Sequence, residues 1–278
     1  MEDLFFENED VIKVFKEVEN YIIKDLNNND DLEKLKRNHL FLAIYDITHT
    51  FYLNYIDINN CVTISSARTL SRKLYELLLY LKYILETDKE SNKRAERYFF
   101  YNEHEKVKVV VSNAKDGGLS QQEIDNLKSK LTNLEQVFID SFKNSKIKVN
   151  DIKGITRWYM EKSKGSKQIG TIQQLSEYFK MEYYYQHIYR NLSKDVHSRG
   201  HDMKETLNIL GKNAQIQNYN QKSDEKGEAL SDEIELSAFT NFIVSRYIEI
   251  CCEFINKKEI WEYYKVPFSE YHNKKWEK

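Results

Sequence analysis

Helix-breaking residues are scarce in this sequence, whose 278 residues include one proline and eight glycines. Proline and glycine are the residues that most often end helices and form tight turns. Because so few are present, the sequence predicts long helices joined by few turns. Its apolar residues recur every three or four positions rather than at alternate positions, which is the spacing of helices with one buried face. We therefore expect an all-α protein.

Cysteine and long apolar runs are scarce as well. The three cysteines, Cys61, Cys251 and Cys252, are an odd number without metal-ligand spacing, which argues against a disulfide framework or a zinc finger. Cys251 and Cys252 are adjacent in an apolar stretch, so we predict buried thiols in a reducing compartment. No apolar run reaches about 18 residues, and the acidic N-terminus lacks the basic region of an export signal. The sequence thus predicts a soluble cytoplasmic protein with no membrane partner.

Net charge is nearly absent, because 42 lysines and arginines stand against 44 acidic residues. No global field would attract nucleic acid, so any RNA affinity must come from a local patch. Residues 143–170 provide one: eight basic residues against two acids give a local charge of +6, in a glycine-containing stretch that predicts irregular backbone. This basic loop would either guide RNA through phosphate contacts or be a solvated surface loop. Its RNA-binding candidates are Arg157, Trp158, Lys162 and Lys164.

A second basic and aromatic stretch lies further upstream. Arg94 and Arg97 stand near Tyr98, Phe99 and Tyr101 in a predicted helix. Guanidinium groups interleaved with aromatic rings can clamp single-stranded RNA. The alternative is a helix with a solvated basic edge.

The helical periodicity divides the chain into segments. We predict an N-terminal helical pair, residues 1–58, packed on a larger helical domain, residues 59–278, in one compact unit. A polar stretch at 213–232 lacks periodicity and predicts a mobile excursion. The predicted helices span residues 9–26, 32–56, 64–86, 88–115, 120–142, 171–179, 183–201 and 232–257.

The segment 183–201 (YYYQHIYRNLSKDVHSRGH) carries most of the functional information. As an α-helix it has an apolar stripe through Ile188, with Arg190 and His197 roughly opposite. These two residues are seven apart, so they differ by only about 20° around the axis and lie about 10.5 Å apart along it. Tyr183 and Gln186 share their polar side.

Arg190, Asn191 and His197 resemble the motif of the HEPN-type ribonucleases, in which an arginine, usually followed by a polar residue, precedes a histidine by several positions. The stretch ARTLSRKLYELLLYL also resembles the Arg…Leu-Tyr-Glu helix of an uncharacterised bacterial branch of that superfamily. In that branch the later motif reads Tyr-Arg-x-Leu-Ser-x3-His, as residues 189–197 do here. The resemblance covers roughly residues 60–200 and the closing helix.

That resemblance implies a helical bundle of HEPN type with additional N-terminal helices, acting as a metal-independent endoribonuclease without a cofactor. It implies a toxin or anti-phage effector, checked by an antitoxin or regulatory partner. Arg190 would bind the scissile phosphate, His197 would transfer a proton, and Asn191 would position backbone or phosphate. One arginine and one histidine are insufficient, so the family pairs two motif helices, and we expect a homodimer. Lys194 and Arg72 are further RNA-binding candidates.

Glu76 allows two interpretations. With Arg72 it has the i,i+4 spacing of an exposed ion pair worth a few tenths of a kcal/mol. Alternatively, it reaches the motif helix and orients Arg190 or His197, or is itself the general base. The residues alone do not separate a base from an orienting group.

Other functions also fit parts of the sequence. His197 and His201 have the H-x3-H spacing of a zinc site, but Gly200 between them predicts the end of a helix, and no glutamate follows His197 as a metalloprotease requires. The chain could instead be a catalytically inactive HEPN-like RNA-binding or protein-interaction module. A third possibility is an antitoxin-like regulatory subunit whose aromatic tail is the sensitive surface.

Overall fold

A computed structural model of the protein describes most of the predicted helices. The described residues are 8–27, 32–61, 63–114, 118–142, 158–159, 161–162, 168–190 and 223–259.

The described chain is all-α, as predicted, apart from one short strand pair. The helices are α1 (Asn8–Asn27), α2 (Leu32–Asn59), α3 (Ile64–Leu85), α4 (Asp88–Ser112), α5 (Gln121–Asp140), α6 (Ile172–Tyr178), α7 (Glu182–Tyr184), continued by a π-helical turn (Tyr185–Tyr189), and α8 (Ser223–Phe254). Strands β1 (Glu161–Lys162) and β2 (Gln168–Ile169) pair antiparallel, with Glu161 opposite Ile169. None of the described helices combines the length and the apolar character that a membrane crossing needs.

The helix ends lie close to the predicted ones, with one clear exception. Helix α8 begins at Ser223 rather than at residue 232, so residues 223–232 of the predicted excursion are helical, and the mobility of the excursion stays a prediction. The segment contains good helix formers. It lacks only the apolar periodicity on which the prediction depended. Residues 213–222 lie outside the described ones.

The chain forms two compact units. The first comprises Met1–Val18, His49–Leu78 and Tyr183–Lys278, and the second comprises Glu19–Thr48 and Leu79–Glu182. Each unit takes residues from both sides of the boundary placed between residues 58 and 59, and that boundary stays a prediction.

Aromatic rings form the core of the first unit. Phe51 of α2 stacks on Tyr247 of α8 with ring centroids 3.7 Å apart, and Phe15 of α1 lies about 6 Å from both. The sequence of the first predicted helix, residues 9–26, has an apolar stripe at helical spacing. The stripe is confirmed where its side chains are described, since these are all buried: Val11, Val14, Phe15, Val18 and Ile22. Cys251 and Cys252 are buried thiols, also as predicted.

Two buried arginines stabilise the second unit. Arg94 is 3% exposed, donates to the Tyr83 carbonyl (2.6 Å) and Glu86 (2.7 Å), and covers the Tyr83 ring. Arg97 is 2% exposed, lies over the Phe142 ring and donates to a main-chain carbonyl. Neither an RNA clamp nor a solvated edge describes them, so both predictions for this stretch are wrong. The aromatic residues next to these arginines in the sequence favoured an exposed binding surface. In the structure, rings and carbonyls outside α4 enclose both guanidinium groups.

Helix α5 is less buried than its apolar stripe predicts. Its apolar residues at helical spacing are Ile124, Leu127, Leu131, Leu134, Val137 and Phe138. Phe138 is buried, Val137 is exposed and the other four are half-buried. Helix α5 pairs with α4. Its start is well fixed: Ser120 Oγ accepts from the Glu123 amide, while Glu123 accepts from the Ser120 amide at 2.8 Å.

Replacement Ser120→Ala should therefore lower the free energy of unfolding by about 1 kcal/mol, because it removes a helix cap. Urea denaturation measures this loss. Ser129→Ala, at an exposed position in the middle of α5, is the matched control and should cost nothing, because alanine is the better helix former. Equal losses in the two variants would show that the cap contributes little.

Candidate functional site

Within the first unit, α3 contacts both α8 and the segment that precedes Arg190. The buried hydroxyls of Ser71 and Thr240 lie 2.7 Å apart and join α3 to α8. One turn along α3, the Tyr75 ring lies 5.6 Å from Phe239 and 5.5 Å from Tyr189. These contacts fix the position of α3 next to Glu76, which follows Tyr75 in the chain.

A hydrogen bond joins Glu76 to Tyr189. The Tyr189 hydroxyl donates to Glu76 Oε1 at 2.7 Å, and the tyrosine side chain is only 4% exposed. Burial raises the pKa of Tyr189 above its ordinary value, and the neighbouring Glu76 charge raises it further. The phenol is therefore a protonated donor at neutral pH, and Glu76 is its acceptor.

Arg72 completes this cluster. Its Nε lies 3.4 Å from Glu76 Oε1, and its guanidinium lies 4.8 Å from the centre of the Tyr189 ring. The Arg72 and Glu76 side chains are 20% and 18% exposed, so water can still reach them. The pair is therefore more than a solvated i,i+4 contact, because a third, buried residue ties it to another segment.

The structure also changes the geometry expected of the motif helix. A straight α-helix was predicted, but Tyr185–Tyr189 form a π-helical turn, with the rings of Tyr185 and Tyr189 stacked at 5.1 Å. A π turn takes about one more residue than an α turn. It therefore rotates Arg190 relative to Tyr183 from the position that a straight helix would give. The predicted alignment of Tyr183 with Arg190 does not follow, although Gln186 and Arg190 remain neighbours.

Arg190 itself is exposed and anchored. Its Nη1 donates to Gln186 Oε1 at 3.2 Å, and its backbone directly follows the buried Tyr189. An accessible guanidinium on a fixed backbone can bind a phosphate with little reorganisation.

The other predicted site residues are not brought together by the described part of the chain. Lys162 lies in β1, opposite Gln168. Outside the described residues are Asn191, Lys194, His197, Arg157 and Lys164. The proximity of Arg190 to His197 and the homodimer stay predictions.

Trp158 requires a correction. It is 2% exposed, and the rings of Tyr80, Tyr83, Tyr98 and Tyr159 meet it edge-on at 5.0–5.6 Å. A ring enclosed in this way cannot stack on a base, so the prediction that Trp158 binds RNA is wrong in this structure. It belongs to the core of the second unit. Its burial could have been predicted from the sequence, because two adjacent large aromatic residues in a polar stretch often pack into the core and fix the loop there.

Sequence reasoning missed the role of Tyr189. Tyr189 is the tyrosine of the Tyr-Arg-x-Leu-Ser-x3-His pattern. The pattern did not predict its hydrogen bond, because its partner Glu76 lies 113 positions away. Among the described residues, no group of three or more His, Cys, Asp and Glu side chains could hold a metal ion.

A comparison with protein families gives one match. The model of the Family of unknown function (DUF5677) matches residues 59–215, more than half of the chain. The chain belongs to this family. The DUF5677 region includes α3 with Arg72 and Glu76, and also Tyr189 and Arg190. No curated protein and no solved structure matches the chain.

Loss of the tyrosine hydroxyl in Tyr189→Phe should lower the free energy of unfolding by about 1–2 kcal/mol, since a hydrogen bond to a charged group is lost while the ring contacts remain. Tyr185→Phe is the matched control on the same turn, where the half-buried ring keeps its stack and the change should stay within about 0.5 kcal/mol. Chemical denaturation of both variants provides the measurement. Similar values for the two would mean that the Glu76 contact is not stabilising.

Stability should also fall at alkaline pH. Burial raises the pKa of Tyr55 to about 12, and the pKa of Tyr189 is raised as well. Unfolded tyrosines ionise near about pH 10. Their contribution is therefore complete below about pH 10 and is lost as the pH rises through the folded-state values. Denaturation at a series of pH values should show this decline, and Tyr189→Phe should make it shallower.

Proposed function

We propose that this protein is a metal-independent endoribonuclease of HEPN type, which cleaves RNA by attack of the ribose 2′-hydroxyl and serves as a toxin or anti-phage effector. The observation that carries the proposal is the exposed Arg190 guanidinium, held by Gln186 and following a tyrosine anchored to α3. The resemblance of residues 189–197 to the HEPN motif supports it.

The reaction assigns a task to each motif residue. A base takes the 2′-hydroxyl proton, the oxygen attacks phosphorus, and the 5′-oxygen leaves with a proton, which produces a 2′,3′-cyclic phosphate. His197 transfers a proton, Arg190 stabilises the charge that develops on the phosphate, and Asn191 positions backbone or phosphate. Two copies of the chain would supply the second arginine and histidine across a twofold axis.

The contacts of Glu76 favour a supporting role over proton transfer. Its carboxylate accepts a hydrogen bond from the Tyr189 hydroxyl and lies beside Arg72, and both contacts are made by Oε1. A general base must be free to take up a proton during each turnover, whereas an anchor must keep its partners. Glu76 is therefore a positioning residue that fixes the turn before Arg190.

RNA would approach along basic residues. Arg72 lies in the cluster with Glu76 and retains partial exposure, so it can add positive charge near the scissile phosphate. Lys194 and the basic loop would contribute phosphate contacts, which supply most of the sequence-independent affinity. The loop candidates for this role are Arg157, Lys162 and Lys164.

Cleavage of end-labelled RNA by the purified protein tests the proposal. Arg190→Ala should reduce the rate by about 10²–10³-fold and His197→Ala by about 10²–10⁴-fold, since each removes charge stabilisation or proton transfer. Lys128→Ala, at an exposed position on α5, is the control and should cleave normally. Cleavage should continue in EDTA and should stop at a 2′-deoxy residue.

Several results would contradict the proposal. Full activity of either motif variant would remove the assignment, and loss of activity in EDTA would favour the zinc reading of His197 and His201. Wild-type protein that binds RNA without cutting it would identify the catalytically inactive RNA-binding module instead.

A further inference from the structure

Tyr183 is an unusual surface residue. It is 64% exposed, which exceeds the exposure of every other large apolar or aromatic side chain in the described part of the chain. Its ring stands perpendicular to that of Tyr184, with centroids 5.7 Å apart. A tyrosine ring exposed on a short helix contributes little to core packing.

Tyr183 is one member of a row of aromatic rings. The Tyr184 ring stacks on Phe242 of α8, with centroids 4.1 Å apart and planes within 13°. Both rings are half-buried, so the stack joins α7 to α8 and leaves part of its surface accessible. Tyr183, Tyr184 and Phe242 form what we call the aromatic row.

A cation stands at the far end of the aromatic row. The Arg246 guanidinium lies 5.8 Å from the centre of the Phe242 ring, is 53% exposed, and is held by Glu249 at 2.6 Å. The ion pair fixes the orientation of the arginine while leaving much of it in contact with solvent. The aromatic row thus begins on the segment that carries Arg190 and ends at a second exposed arginine.

This chemistry suits single-stranded nucleic acid better than a protein surface. Every base has a π face, and base–aromatic stacking contributes about 1–3 kcal/mol per base. Tyrosine hydroxyls and the exposed Arg246 accompany these rings, whereas a protein-docking patch is typically contiguous and apolar. Guanidinium groups near the rings can bind the phosphates between stacked bases.

We propose that the aromatic row is a base-stacking subsite for single-stranded RNA, in which Tyr183 stacks on an unpaired base and Arg246 contacts the backbone. That the single strand is the RNA substrate rests on the proposed function. Binding by the row does not require cleavage and can be measured separately.

The subsite selects single strands. Bases in a duplex are already stacked and cannot present a free face to Tyr183, so duplex RNA gains nothing from the row. Since Glu249 already neutralises part of the charge of Arg246, stacking rather than charge should dominate the affinity. The salt dependence that Arg246 adds should be no more than about 0.7 in the slope of log K against log salt, the value for one phosphate on a single strand.

Fluorescence anisotropy with uncleavable 2′-O-methyl oligonucleotides, single-stranded and duplex, tests the subsite. Tyr183→Ala should weaken single-strand binding about 5- to 150-fold, corresponding to the loss of one stacked base. It should leave duplex binding unchanged. Tyr183→Phe should bind like the wild type, because it keeps the ring. Tyr21→Ala, at another exposed tyrosine on α1, is the matched control and should have no effect.

The outcomes separate this inference from the proposed function. Wild-type single-strand binding by Tyr183→Ala overturns the subsite, even if the protein cleaves RNA. A change from dimer to monomer in light scattering, with binding per subunit intact, overturns it too and identifies a protein interface. Tyr183-dependent binding by a protein that cuts no RNA supports the subsite while the proposed nuclease activity fails.

Discussion

The hydrogen bond from the Tyr189 phenol to the Glu76 carboxylate is the contact on which the candidate site depends. It joins residues 113 positions apart and pins the end of a π-helical turn to α3. Because Tyr189 is buried, leaving its hydroxyl without an acceptor would cost more than the bond contributes when made. Arg190 follows immediately, so the backbone that carries the exposed guanidinium is fixed by a residue that faces inward. The buried Tyr189 side chain thus holds the backbone in place, while the neighbouring Arg190 side chain stays exposed to solvent.

Most of the helices could be predicted from local sequence patterns, whereas fewer features of the candidate site could. Helices such as α1 could be predicted because apolar residues that recur every three or four positions indicate which face of a helix is buried. The burial of Trp158, Arg94 and Arg97 could not be predicted from such spacing, because most of the groups that enclose them lie in other helices or loops. A guanidinium enclosed by rings and carbonyls has the same local sequence as one exposed to solvent. Composition shows which groups are present, and only tertiary contacts show which are enclosed.

The same limit applied to the site residues. Glu76 could be associated with the motif segment through its resemblance to a family pattern, but spacing did not identify its partner as Tyr189 rather than Arg190. Periodicity also assumed an α-helix throughout, whereas the chain inserts a π turn before the arginine. Such turns arise where tertiary contacts outweigh regular backbone geometry, and they are frequent at functional sites. Helical-wheel reasoning is therefore least reliable where a segment carries function.

Because a π turn precedes Arg190, the direction in which this side chain points depends on the number of residues in the turn. With the type of turn unchanged, one residue more or fewer between Tyr185 and Arg190 would rotate the guanidinium by about 100° around the axis. Relatives with an ordinary turn at this place would direct the arginine alike only if their chains were one residue shorter there. A single-residue gap at this point in an alignment would therefore indicate that the arginine points in the same direction in both proteins, and not that the two sites differ. Counting residues across it offers a way to sort family members by geometry before any of their structures is known.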